Sequence, residues 1–155
     1  MAKIFEIRLK PGSVFIQMFP EIAPKHCQVI EALSEGGFYN GLKWHRVIEG
    51  FMAQTGCPFG AGTGGINFKI PQEFSDLKHI RGTCSMARAK DPDSASSQFF
   101  ICFQDCPQLN GKYTVWGQVL EGMEFVDEIT KGDPKENGRV NIPDRILWTR
   151  ISNES

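Results

Sequence analysis

Residues 3–19, KIFEIRLKPGSVFIQMF, alternate apolar and polar side chains on both sides of a Pro11-Gly12 pair. Phe5, Ile7 and Leu9 stand against Glu6, Arg8 and Lys10, and Val14, Ile16 and Met18 stand against Phe15, Gln17 and Phe19. A period of two marks a strand with one buried face, and Pro followed by Gly suits a type II turn. The segment predicts an opening β-hairpin.

Outward from this hairpin, runs with the character of strands fall at 43–48, 51–55, 83–87, 99–103, 114–119 and 145–151, each bounded by Gly, Pro, Asn or Asp. Two short helices interrupt them. In the first, Pro24 suits an opening helical position, Ile30 and Leu33 fall three apart, and Gly36-Gly37 stops the run. The second spans about 122–131, where Met123, Val126 and Ile129 recur every third residue and Gly132 follows. Eight strands and two helices predict a mainly β fold, a closed eight-stranded antiparallel β-barrel capped by two short α-helices, because closure removes exposed sheet edges. With 155 residues, no repeat and no linker, residues 1–155 read as a single domain, and 131–141 (KGDPKENGRVN) as a polar surface loop.

A net charge of −1 with scattered Lys and Arg gives no footprint for nucleic acid or a membrane surface. Five cysteines, an odd number, and a start (MAKIFEIRLK) without an apolar leader point to free thiols in a reducing cytoplasm. No apolar run reaches the ~18 residues of a membrane-spanning helix, so a soluble cytoplasmic protein is expected.

Several chemical motifs fail on context. Residues 60–65, GAGTGG, fit the spacing of a dinucleotide-binding loop, but the following INFKIP ends in proline and offers no helix to receive a pyrophosphate. Cys102 and Cys106 lie four apart, the wrong spacing for a C-x-x-C metal half-site, and Cys102 sits in the apolar run FFICF. His26, His45 and His79 add no ligand pattern, and Ser94, Ser96 and Ser97 lack a nucleophile elbow. No cofactor and no metal are expected.

Residues 44–56, WHRVIEGFMAQTG, differ in kind: a fixed cation, Arg46, stands among large apolar side chains and is followed by a neutral amide, Gln54. On one regular strand Arg46, Met52 and Gln54 would share a face and Phe51 would point away, so Gly50 reads as a bulge that brings Phe51 beside Met52.

Five segments (WHRVIEGFMAQTG, GTGG, SMARA, SSQFFI and LNGKYTVWGQV) stand in the order and near the spacing seen in cyclophilins, the peptidyl-prolyl cis-trans isomerases. The resemblance covers residues 3–151 and looks closest to bacterial single-domain members. It implies rotation about X–Pro bonds in peptides and in unfolded or partly folded proteins, hence a role in protein folding, by a monomer. It makes Arg46 and Gln54 the catalytic pair, and Phe51, Met52, Phe100 and Leu109 the walls of a proline pocket. Ala87 and Gln98 would line the peptide groove, with Arg88 gripping substrate through its main chain and adding a preference for acidic substrates through its side chain. Two residues depart from the family pattern: Tyr113 replaces a common His, and Gln108 a Trp that helps hold cyclosporin. The resemblance thus implies retained isomerase activity and weak cyclosporin binding. A peptide-binding module that has lost turnover is the competing reading, although such domains usually lack the arginine or part of the pocket.

Overall fold

The computed structural model describes residues 2–154. The opening segment forms strands β1 (Ala2–Arg8) and β2 (Ser13–Met18), antiparallel with Arg8 opposite Ser13. Phe5, Ile7, Leu9, Val14, Ile16 and Met18 are all buried, as the alternation predicts. The turn is not the expected type II. Leu9 N donates to Gly12 O (2.9 Å), and Gly12 is not among the glycines with positive φ. It is needed for space, since a Cβ there would lie 2.4 Å from the Phe125 ring.

Helix α1 (Pro24–Glu35) starts on its proline and ends before Gly37, whose φ of 75° few other residues adopt. The remaining elements are β3 (Arg46–Ile48), β4 (Met52–Thr55), β5 (Thr83–Met86), β6 (Phe99–Cys102), β7 (Val115–Glu121), α2 (Met123–Asp127) and β8 (Trp148–Glu154). Helix α2 is shorter than expected. Beyond it Glu128 N and Ile129 N donate three residues back, and Lys131 Nζ donates to the carbonyls of Asp127 and Ile129, capping the run early.

All eight strands form one antiparallel sheet in the order β3-β4-β6-β5-β7-β2-β1-β8. The expected closure into a barrel is corrected here, because among the described residues no ladder joins the outer strands β3 and β8. Instead the chain before and within β3 is laced to the chain before β8. Gly41 N donates to Ile146 O, Ile146 N to Leu42 O, Trp44 N to Asp144 O and Val140 N to His45 O, with isolated bridges at Lys43–Arg145 and Arg46–Arg139. Pro134 and Pro143 have no N–H to donate, and Asn137 and Gly138 take positive φ, so the segment that would complete the ladder cannot run as a regular strand. The loop read as merely polar is therefore the seam of the sheet.

The main core centres on Phe99. Its ring meets Phe5, Tyr39, Trp44 and Trp116 at centroid separations of 5.3–6.3 Å, each edge to face. On the opposite side of the same strands lies a second apolar cluster of Met52, Phe100, Cys102, Cys106 and Leu109.

Candidate active site

Strands β3 and β4 form a hairpin in which Arg46 pairs with Gln54 and Ile48 with Met52. Gly50 is not a bulge within one strand. It takes φ 74° in the connecting turn, where Phe51 N donates to Ile48 O (3.0 Å). Phe51 still reaches the second cluster, packed against it and only half-buried. On the neighbouring ladder Met52 faces Cys102 and Gln54 faces Phe100, so the pleat sets Arg46, Met52, Gln54 and Phe100 on one face.

A cavity of about 170 Å³ opens on that face. At ~30 Å³ per water it holds roughly five or six waters, the scale of one small ring. Its apolar wall is Phe51, Met52, Phe100 and Leu109, closed by Ala87 and by Tyr113, whose ring meets Phe100 edge to face at 5.8 Å. Leu109 reaches in from a 3₁₀ turn, Pro107–Leu109, that leaves its neighbour Gln108 exposed. Cys102 and Cys106 lie in this cluster with their thiol pKa values pushed up by burial, and so behave as small hydrophobes. Among the described residues no group of His, Cys, Asp or Glu side chains is placed to hold a metal ion.

The polar rim is a relay of neutral acceptors. Gln98 Nε2 donates to Gly62 O and Gly64 O, Gln54 Nε2 to Gln98 Oε1 (2.9 Å), and Arg46 Nη1 to Gln54 Oε1 (3.1 Å). This chain fixes the orientation of both amides. The Gly-rich segment 60–65, which no helix follows, thus anchors Gln98. On its other side Arg46 donates through Nε to Asn137 O and through Nη2 to Asn137 Oδ1, both at 3.0 Å. Three of the guanidinium's five N–H donors are used in this way, and two remain. Burial lowers the Arg46 pKa from its ordinary value, but that value lies so far above neutrality that the cation persists.

Arg46, Phe51, Met52, Gln54, Ala87, Arg88, Phe100, Leu109 and Tyr113 therefore border one cavity. Gln98 does not line it, but borders the adjoining groove together with Ala87 and Arg88. The side chain of Arg88 is largely committed to the main chain around it. Its guanidinium donates to the carbonyls of Lys112, Ala89 and Lys90 and lies 4.7 Å over the Tyr113 ring. Arg88 and Tyr113, which departs from the family pattern, thus stack on each other. Sequence reading missed Asn137, 91 residues from Arg46 inside a loop, where only the Asn-Gly pair signals an unusual backbone. It also missed His79, stacked on Phe100 at 6.2 Å, with Nδ1 3.1 Å from Asn110 Oδ1 and Nε2 2.9 Å from Ser85 Oγ.

Comparison with known proteins locates the whole chain. The family model described as cyclophilin type peptidyl-prolyl cis-trans isomerase/CLD matches residues 4–151. A Brucella suis protein named as a probable peptidyl-prolyl cis-trans isomerase is 49% identical over 157 residues, covering 94% of this chain and 80% of that one. The crystal structure of a Cryptosporidium parvum cyclophilin type peptidyl-prolyl cis-trans isomerase superposes with a TM-score of 0.90 at 30% identity, covering 100% of both chains. A second structure of that protein, obtained in the presence of the dipeptide Ala-Pro, gives 0.87 at 31% identity over 97% of this chain and 99% of the other.

Proposed function

The chain belongs to the cyclophilin-type peptidyl-prolyl cis-trans isomerases, and from that premise we propose that the X–Pro bonds of its substrates turn over in the cavity beside Arg46. One observation carries the proposal: a permanently charged fork with two N–H groups uncommitted stands on the rim of a ring-sized apolar hollow. The proline ring sits against Phe51, Met52, Phe100 and Leu109, while the preceding carbonyl swings outside.

Amide resonance makes the X–Pro bond resist rotation by ~18–20 kcal/mol, and no covalent bond has to be made or broken. At the twisted midpoint the imide nitrogen becomes pyramidal and regains a lone pair, so a donor aimed at it stabilises that state above the planar ones. Arg46 supplies this donor, and a hydrogen bond from a charged group contributes about 1.5–3 kcal/mol. An acceleration of roughly 10⁵-fold needs about 7 kcal/mol, so the larger share falls to the cup that holds the ring still and excludes water. Gln54 and Asn137 steady the fork through neutral oxygens, which leave its charge uncompensated. A carboxylate in either place would pair with it.

Ala87, Gln98 and the main chain of Arg88 hold the peptide that flanks the proline. Proline peptides and partly folded chains are the substrates on this reading, and assistance to folding is the role. The Ala-Pro dipeptide present with the Cryptosporidium neighbour supports that substrate class. Cyclosporin binds weakly, since Gln108 offers no large ring at the exposed end of the 3₁₀ turn; titration against wild type and Gln108→Trp tests this, and equal, tight inhibition of both would refute it.

The decisive experiment compares wild type, Arg46→Ala and Arg46→Lys on one proline peptide, by magnetisation exchange for turnover and by titration for affinity. Arg46→Ala should lose at least tenfold in turnover, the equivalent of about 1.4 kcal/mol, with a smaller change in affinity. Arg46→Lys should also be poor, because an ammonium lacks the planar fork. Unchanged turnover by a folded Arg46→Ala variant would remove the arginine from the mechanism.

A further inference from the structure

Beside the apolar cup lies a second and wider hollow of about 740 Å³. It shares Arg46 and Gln54 with the cavity described above, so a peptide seated in one reaches the other. Its charge is one-sided: Lys43, Arg46 and Arg139 line it against a single carboxylate, Glu136. Among the described residues neither Lys43 nor Arg139 has an acidic partner, whereas Lys3, Arg81 and Arg150 elsewhere are each paired.

His45 forms part of the same wall, but it is only 7% exposed and both ring nitrogens are closed off from solvent, beside the Lys43 main chain and the Gln98 side chain. Gly62, with φ 82°, lies over the ring edge that carries Nε2, where an added Cβ would sit 3.5 Å from it. The ring therefore shapes the floor of the hollow, and the cations left to meet an anion are Lys43 and the exposed Arg139.

We propose that this hollow is a subsite for an acidic side chain of the substrate peptide, its carboxylate taken by Lys43 and Arg139. Val140 and Pro143, also in the lining, give the methylene groups of a glutamate an apolar seat. The proposal rests on the reading of the neighbouring cavity as the proline site. It places the preference for acidic substrates here and not at Arg88, whose guanidinium is spent on main-chain carbonyls.

The test uses matched proline peptides that differ only by Glu or Gln, scanned over the residues flanking the proline, with kcat/KM measured at low and high salt. At one position wild type should favour Glu over Gln by roughly fivefold at low salt, a ratio that shrinks as salt screens the pair. Lys43→Gln/Arg139→Gln should bring the ratio to one without changing turnover of the Gln peptide, and Arg139→Gln alone, at an exposed side chain, should lower it part way. A ratio of one at every position in wild type, with the Gln peptide turned over normally, removes the subsite and leaves the proline site standing. A preference that survives in the double variant overturns the assignment to these residues. Failure of wild type to turn over the Gln peptide would count against the proline site instead.

Discussion

The two faces of β4 and β6 carry two apolar clusters built from interleaved residues, and they differ in what closes them. Inward, Ala53, Phe99 and Ile101 are fully buried, and Phe99 is enclosed by four aromatic rings. Outward, Met52, Phe100 and Cys102 are almost as well removed from solvent, at 1%, 4% and 0% exposure. What lies over them is a 3₁₀ turn, the ring of His79 and the half-buried Ile48, Phe51, Ala87 and Tyr113, with a hollow left between. Residue type does not separate core from site here. The same alternation that makes one face a core makes the other a receptacle, because short loops cover it incompletely.

The neighbouring phenylalanines test this contrast most directly. Phe99→Ala should cost about 3–5 kcal/mol, since the surrounding rings cannot collapse into the space. Phe100→Ala should cost less, about 3 kcal/mol at the lower end of that range, because one side of its ring already borders empty volume. Activity should follow the opposite order: turnover per folded molecule falls at least tenfold, about 1.4 kcal/mol, for Phe100→Ala and little for Phe99→Ala. Urea unfolding together with an isomerase assay on the same samples separates the two, and equal effects of both substitutions would erase the distinction.

Acid should erode both faces together. Burial lowers the pKa of His26, His45 and His79, and in His26 it outweighs the adjacent Glu73 carboxylate. A histidine with a depressed folded pKa binds its proton more readily when unfolded, so its contribution is complete above the unfolded value near pH 6.5 and is lost as pH falls below it. Each ring can remove up to about 1.4 kcal/mol per pH unit in that range. Denaturant midpoints between pH 8 and pH 5 should fall, and His79→Gln, at the ring beneath Phe100, should flatten the slope by one histidine. Stability that rises on acidification would mean that the rings are charged in the fold.

Local pattern carried much of this arrangement. A period of two is written in neighbouring residues, so the hairpin and the eight strands could be read from short segments, whereas the shared face of Arg46, Met52 and Gln54 comes from pairing across the turn at Gly50 and not from a single regular strand. The resemblance to cyclophilins added Leu109 and Tyr113, which come from a separate segment. Features set by contacts across long separations stayed hidden. The open seam depends on how the chain around Asn137 and Pro143 meets the chain around Lys43, and Gly12 is required by a ring 113 residues away. Arg88 misled for a different reason. A lone cation in a sequence says nothing of how many carbonyls lie within its reach, and here the acceptors come from Ala89, Lys90 and Lys112.

Asn137 offers the finest probe of the outer face, because it holds Arg46 twice and is itself exposed. Its main-chain oxygen takes Nε and its side-chain oxygen takes Nη2, from a residue held at φ 58°. Asn137→Gly keeps that backbone geometry and the carbonyl while deleting Oδ1. It should reduce turnover by about fivefold, the equivalent of ~1 kcal/mol for one hydrogen bond, and leave unfolding unchanged. Asn137→Ala removes the same oxygen and with it the short polar side chain that eases asparagine into the left-handed region, and so should add a stability loss of about 1 kcal/mol to the same drop in turnover. If the glycine variant turned over like wild type, two neutral contacts on one side would not be needed to aim the fork, and the pairing with Gln54 would have to suffice.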